Sequence, residues 1–317
     1  MAQGQPAEPG RFPEDDVRSQ EFRADILLLL TALIWGLAFV AQRLGMDHVG
    51  PFTFNGVRFL LGASALLPLA LRSRRNPDPS DFLRRTHGTV GLWGGLLAGT
   101  ALFAGASLQQ VGMVYTTAGK AGFITGLYVV IVPMIGLFFR QRACLGDWIG
   151  AVMAAVGLYF LSVTEDLTMS FGDFLELTGA VFWAGHVCLI GWLSPRMRAT
   201  QLACVQYAVC GALSLGVAFC AENITVDGLS GALYPILYGG LLSVGLAYTL
   251  QVVAQRDAKP SHAAILLSLE AVFAALAGWA ILDESMAGRG LFGCALMLAG
   301  MMASQLWPRG QKVAAAS

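Results

Sequence analysis

Glu270 is the residue whose type and setting most demand an explanation. It stands inside a long apolar run, about 14 Å from its start at the helical rise of 1.5 Å per residue. A carboxylate at the centre of a bilayer costs about 2.5–3.5 kcal/mol on insertion scales. Such a group faces a cavity or a partner. Two kinds of chemistry fit: a carboxyl that takes up and releases a proton as a solute moves, or one that holds a substrate amine. A carboxylate tied to a neighbouring helix for packing is the structural alternative. Other polar and aromatic residues also fall deep inside apolar runs. Trp35 and Trp183 sit mid-run rather than at the interfaces where tryptophan concentrates. Phe39 and Gln42 extend the Trp35 face, and His186 extends the Trp183 face, at helical spacings. Gln109, Tyr128, Tyr248 and Gln251 complete a set that would line a solute pathway; packing between helices is the competing account. Lys120 and His262 fall near segment ends and read as gate positions, or as side chains that reach the interface by their own length. Arg58, about two turns into its segment and matched with Gln206, either snorkels outward or meets a carboxylate, and reads as structural.

The elements that must position these residues follow from composition. Of 317 residues, 56% are apolar and 38 more are glycine, while only 13% are charged. A soluble domain carries about a quarter charged residues, so a water-soluble enzyme, a nucleic-acid binder and a secreted disulfide scaffold are excluded. Ten membrane helices need about 200 residues, and ten apolar segments are found at roughly 24–43, 52–71, 89–111, 116–138, 145–162, 172–193, 199–220, 231–254, 261–282 and 289–307. The runs are continuous rather than alternating, which excludes a β-barrel. The backbone must then satisfy itself as helices. Residues 1–23 are polar and hold Pro6, Pro9 and Pro13; they read as a flexible cytoplasmic tail, and 308–317 as a cytoplasmic tail. With the N-terminus in the cytoplasm, sixteen Lys and Arg fall on the cytoplasmic side, and only Arg43 and Arg289 on the other. That bias predicts an even helix count and cytoplasmic termini. The six cysteines form no metal-type spacing, and no cofactor is implied.

The chain also matches itself. At an offset of 148, Asp25, Trp35 and Val57 meet Asp173, Trp183 and Val205. Gly94-Gly95 meets Gly239-Gly240 at 145, and at 142 Gln109, Lys120 and Tyr128 meet Gln251, His262 and Glu270. At 143, Gly150 and Gly157 meet Gly293 and Gly300. The order is collinear, so the expected architecture is all-α and polytopic: two five-helix repeats, 24–162 and 172–307. Five is odd, so the second copy lies inverted in the membrane. Inverted repeats place a solute site near midplane between the halves and supply two related conformations.

Several motifs carry a resemblance. They are Trp35-Gly36 and Trp183, Pro51 followed by Arg58, Thr116-Thr117-Ala118-Gly119-Lys120-Ala121 leading to Pro133, and Leu269-Glu270-Ala271-Val272 leading to Asp283-Glu284. In these the chain resembles the drug/metabolite transporter superfamily, and within it the tandem EamA-type permeases, over about residues 24–307. At Glu270-Ala271 the family commonly has Glu-Pro, so the proline that would break the helix is missing here. The resemblance implies export or exchange of small organic solutes, including amino acids, metabolites and drugs, across a bacterial cytoplasmic membrane.

The expected function is therefore secondary transport of a small organic solute by alternating access. Export is the expected direction, with a proton as a candidate co-substrate and the lipid bilayer as surroundings. An uncoupled, channel-like facilitator fits the same residues, and the sequence suits a monomer or a homodimer. Nucleic acid is not an expected partner, and no GxxxxGK[ST] motif for nucleotide occurs. Gly228-Leu229-Ser230-Gly231 spells the GxSG of membrane serine hydrolases. Ser230, however, falls in a loop on the opposite side from His262, beyond hydrogen-bond reach, so no enzyme is expected.

Overall fold

The computed structural model describes residues 14–75, 88–138, 144–162, 170–283 and 288–307. Among these residues the chain is helical throughout, with no strand. The first half comprises α1 (Glu14–Gly45), α2 (Pro51–Arg75), α3 (Gly88–Gly112), α4 (Ala118–Gly126), α5 (Tyr128–Phe138) and α6 (Leu145–Ser162). The second comprises α7 (Phe171–Leu193), α8 (Ala199–Ala221), two short helices α9 (Val226–Gly231) and α10 (Leu233–Leu237), and a π-helical stretch Tyr238–Tyr248. It continues through α11 (Thr249–Ala254), α12 (Pro260–Leu267) and α13 (Glu270–Ile281) to α14 (Gly288–Leu306). Among the described residues, seven helical stretches are long and apolar enough to cross a membrane, among them Ser19–Gly45, Ala118–Phe138 and Pro260–Ile281; Leu145–Gly157 and Gly288–Ser304 are shorter apolar helices. Helix α1 starts at Glu14 rather than at 24, so the second part of the expected tail is helical and Phe22 is exposed on it. Glu165, Asp166 and Glu284, expected to solvate loops, lie outside the described residues.

Two of the long stretches are interrupted at corresponding places. Helix α4 ends at Gly126 and α5 begins at Tyr128, with a tight turn made by Leu127 N–H to the Ile124 carbonyl (3.2 Å). Helix α12 ends at Leu267 and α13 begins at Glu270 through the matching bond, Leu269 N–H to the Leu266 carbonyl (3.3 Å). The second break needs no proline. Ser268 Oγ donates to the Ile265 carbonyl at 2.8 Å, and such side-chain back-bonding loosens the backbone ladder.

Corresponding helices of the two halves pack on each other. Helices α6 and α14 meet where a Cβ on Gly150 would lie 2.8 Å from the Gly300 carbonyl oxygen, and one on Gly157 would lie 2.6 Å from that of Gly293. The residue numbers run in opposite senses, so the pair is antiparallel. In the same way α2 meets α8, with Gly56 against Leu215 and Gly211 against Leu60. Small residues at such contacts let backbones approach closely, which is how helices associate where lipid is as apolar as leucine.

One polar contact ties the halves at the start of α2. The Glu222 carboxylate accepts from Phe52 N (2.8 Å), Thr53 N (2.7 Å) and Thr53 Oγ1 (2.6 Å). It thereby satisfies N–H groups that the first turn leaves open and puts negative charge on the helix's positive end. Glu222→Ala is expected to lower stability by about 1 kcal/mol, within the usual range for a lost cap. Glu222→Gln should cost less. Thermal unfolding of the detergent-solubilised variants measures both.

Candidate functional site

A narrow pocket, with about 450 Å3 of empty space when the open solvent at its mouth is included, lies between the two halves. Helix α1 contributes Trp35, Phe39 and Gln42, and α3 contributes Gln109. Thr125 and Tyr128 come from the α4–α5 break and Glu270 from the α12–α13 break, so Tyr128 and Glu270 each open a half-helix on the cavity wall. The second half adds Trp183 from α7, Ser243 and Tyr248 from the π-helical stretch, and Gln251 from α11. Arg58 reaches the same space from α2.

Tyr248 is the hub of an aromatic cluster. Its ring centroid lies 4.4 Å from Trp35, 6.0 Å from Phe59 and 6.1 Å from Trp183, the last stacked at 25°. The π-helical stretch that ends at Tyr248 also fixes Trp35, whose Nε1 donates to the Ser243 carbonyl at 3.3 Å. Such stretches are rare and gather at functional sites. Polar groups complete the wall. Gln109 Nε2 donates to Gln42 Oε1 at 3.2 Å. Among the described residues, both polar ends of Gln251 and the Trp183 Nε1 have no protein partner, while the Tyr128 hydroxyl faces the Glu270 carboxyl. Buried polar atoms left open in this way are costly, and a solute or water in the cavity would satisfy them. The Glu270 side chain is 4% exposed and opens to the same space.

Eight of the sequence-predicted pathway residues therefore share one cavity: Trp35, Phe39, Gln109, Tyr128, Trp183, Tyr248, Gln251 and Glu270. His186 does not line it. The ring lies behind the wall, edge-on to Trp183 at 6.0 Å and to Tyr248 at 6.4 Å, with Nε2 2.9 Å from Gln206 Oε1. Arg58, read as structural from sequence, is on the wall. Glu176 passed unnoticed in the sequence. It is fully buried on α7, one turn after Asp173, and accepts from Thr125 Oγ1 at 3.0 Å.

Lys120 and His262, the gate candidates, are paired across the halves. Lys120 Nζ lies 2.7 Å from Asp173 Oδ2, and His262 Nε2 lies 2.8 Å from Asp25 Oδ1. Neither side chain simply reaches for solvent: His262 is buried, and Nδ1 is 3.4 Å from Ser304 Oγ. Ser304 in turn donates to Asp147 Oδ1 at 3.2 Å. Asp25 and Asp173 are repeat partners, and so are Lys120 and His262. Each pair joins one half to the other, and exchanging the halves turns one pair into the other.

The paired halves and their shared cavity match what comparison with known sequences returns. The profile of the EamA-like transporter family fits residues 22–163 and, a second time, 170–304. The chain belongs to the EamA-like transporter family. Its relatives include an uncharacterized transporter of Archaeoglobus fulgidus, 34% identical over 87% of this chain and 83% of that one. The uncharacterized transporter YoaV of Bacillus subtilis is 22% identical over 86% of this chain and 94% of its own. A solved crystal structure with 17% identity superposes with a TM-score of 0.72 over 89% of this chain and 97% of that chain, a likeness of fold. This EamA-like protein is thus a multi-pass membrane transporter. Among its described residues, no group of three His, Cys, Asp or Glu side chains is placed to hold a metal ion.

Proposed function

We propose that the protein is a secondary transporter that exports small organic solutes, such as amino acids or amphipathic drugs, across a bacterial-type cytoplasmic membrane. The single observation that carries this reading is the cavity between the halves, walled by an aromatic cluster and by unpartnered polar groups. Ten spans form two inverted five-helix repeats, 24–162 and 172–307, with both termini in the cytoplasm. The antiparallel packing of α6 on α14 and of α2 on α8 favours that arrangement, because a two-fold axis in the membrane plane must bring equivalent helices together antiparallel.

Alternating access then uses the two cross-half pairs as latches. Lys120–Asp173 closes the outer side and His262–Asp25 the inner side. Opening to either face breaks one pair and keeps the other. Glu270 supplies the protonatable group inside the cavity, and a proton moves with or against the solute.

Counterflow in proteoliposomes tests the transport reading. Vesicles preloaded with a mixed pool of amino acids, nucleosides and amphipathic drugs should show saturable exchange of one class; flux no greater than in empty vesicles would remove the reading. The latches have their own signature. A partly exposed ion pair such as Lys120–Asp173 is worth about 0.2–1 kcal/mol, and a net side-chain hydrogen bond such as His262–Asp25 about 0.5–1.5 kcal/mol, so losing either shifts the balance of the two conformations several-fold. In vesicles of defined orientation, Lys120→Met and Asp25→Asn are expected to shift the apparent affinity for external solute in opposite directions. The double variant should return towards wild type. Shifts in the same direction would show that the pairs are not opposed latches.

A further inference from the structure

Arg58 is a buried cation without an anion. The residue is 2% exposed, and among the described residues no carboxylate lies within ion-pair distance of it. Its Nε donates to Asn55 Oδ1 at 3.0 Å, and the guanidinium carbon stands 5.3 Å from the Phe54 ring centroid and 5.0 Å from that of Phe59. The two rings hold the fork in place from α2. They offer no hydrogen-bond acceptor to the remaining N–H donors of a guanidinium, which carries five in all. Those η nitrogens have no partner among the described residues, and the side chain borders the cavity. A buried charge is kept only where something pairs with it. At the corresponding position of the second half stands Gln206, a neutral residue taken up by His186, so the feature belongs to one side of the cavity alone.

We propose that Arg58 is the anion subsite of the cavity and receives the carboxylate of an organic solute, whose apolar body lies on Trp35, Tyr248 and Trp183. The proposal rests on the transport reading of the same cavity. A planar guanidinium fork fits a carboxylate with two parallel hydrogen bonds. One cation balances one negative charge. A doubly charged phosphate would face the same single guanidinium together with the acid Glu270. The aromatic wall requires that the anion carry an organic body.

Binding rather than turnover tests the assignment, using the tryptophan fluorescence of the full chain in nanodiscs. The probes are cyclohexanecarboxylate, the isosteric neutral cyclohexanecarboxamide and 1-aminocyclohexanecarboxylate. Wild type is expected to bind the carboxylate about tenfold more tightly than the amide. Arg58→Gln should abolish that preference while leaving amide binding within about twofold, and Arg58→Lys should restore part of it. Equal binding of carboxylate and amide by wild type overturns the proposal even if no variant folds. So does the absence of saturable carboxylate binding, or an Arg58→Gln variant that weakens both probes alike. The amino acid probe separates sources: tighter binding than the plain carboxylate points to an amino acid and weaker binding to a simple organic acid, and either supports the subsite if Arg58→Gln removes it. A carboxylate preference without counterflow would leave the subsite standing and remove the transport reading. Counterflow of neutral or cationic solutes alone would do the reverse.

Discussion

In Glu270→Gln, an imposed pH gradient is expected no longer to change the solute distribution across the vesicle membrane, while counterflow at equal pH should persist. Glutamine keeps the size and the hydrogen-bonding oxygen of the side chain but has no proton to exchange. Glu270 is 4% exposed, stands at the first position of α13, and opens to the cavity that also holds Tyr128, its repeat partner. In the proposed mechanism this carboxyl takes up a proton while open to one side and releases it while open to the other, which is what coupling requires. One pH unit is worth about 1.4 kcal/mol per proton, a tenfold ratio of solute at equilibrium. Wild type should therefore approach about a tenfold displacement per unit, and the variant a ratio of about one. Counterflow needs only the exchange of conformations, so its rate should stay within a few-fold of wild type. A variant that still responds to the gradient would move the proton to another buried carboxyl, with Glu176 first in line.

The second large effect comes from a residue with no side chain. A Cβ on Gly36 would sit 2.3 Å from Phe273 Cβ, 2.8 Å from the Glu270 carbonyl oxygen and 2.9 Å from Ala274 N. Two of these are backbone atoms of α13, so no rotamer change relieves the clash and the helices must separate. Overpacking of this kind costs about 1–3 kcal/mol, and the displaced segment is the one that carries Glu270. Gly36→Val is expected to lose transport almost completely and to lower stability by about 3 kcal/mol, with Gly36→Ala milder. Gly185 on α7 is the control, since nothing lies within 4 Å of its added Cβ. There alanine should raise stability by up to about 1 kcal/mol, the helix-propensity gain over glycine. Thermal unfolding and counterflow on the same preparations separate the two cases. Equal stability of Gly36→Val and wild type would mean that α1 and α13 are not packed as described.

Much of the site could be read from the sequence because lipid makes polarity conspicuous. A glutamate, two glutamines or a mid-run tryptophan in an apolar segment stands out, and the internal repeat tells which of them correspond. Arg58 was harder, because a long cationic side chain within two turns of a helix end has an easy escape to the interface. Only the three-dimensional packing of Phe54 and Phe59 against the guanidinium shows that it turns inward. The partners of Lys120 and His262 were hidden for a different reason. Asp173 and Asp25 each lie in the other half, and offsets between halves report equivalence, not contact. The α12–α13 break escaped because it rests on Ser268, a commoner signal than proline. Periodicity sets His186 on the Trp183 face, where its ring does lie, but its contact with Gln206 decides that it stands behind the cavity lining rather than in it.

The glycine contacts between α6 and α14 have a further consequence. Gly150 meets Gly300 and Gly157 meets Gly293, while Gly150 corresponds to Gly293 and Gly157 to Gly300. The contact is therefore isologous, the kind of self-complementary surface that joins two copies in a C2 dimer, here closed within a single polypeptide. A substitution on one side has a twin position directly across the axis, so the bulk tolerated at one glycine depends on what stands at its twin. Between Ser162 and Ser170 the covalent link is the only thing that makes these mating surfaces intramolecular. Two fragments severed there would still present each other with matching faces.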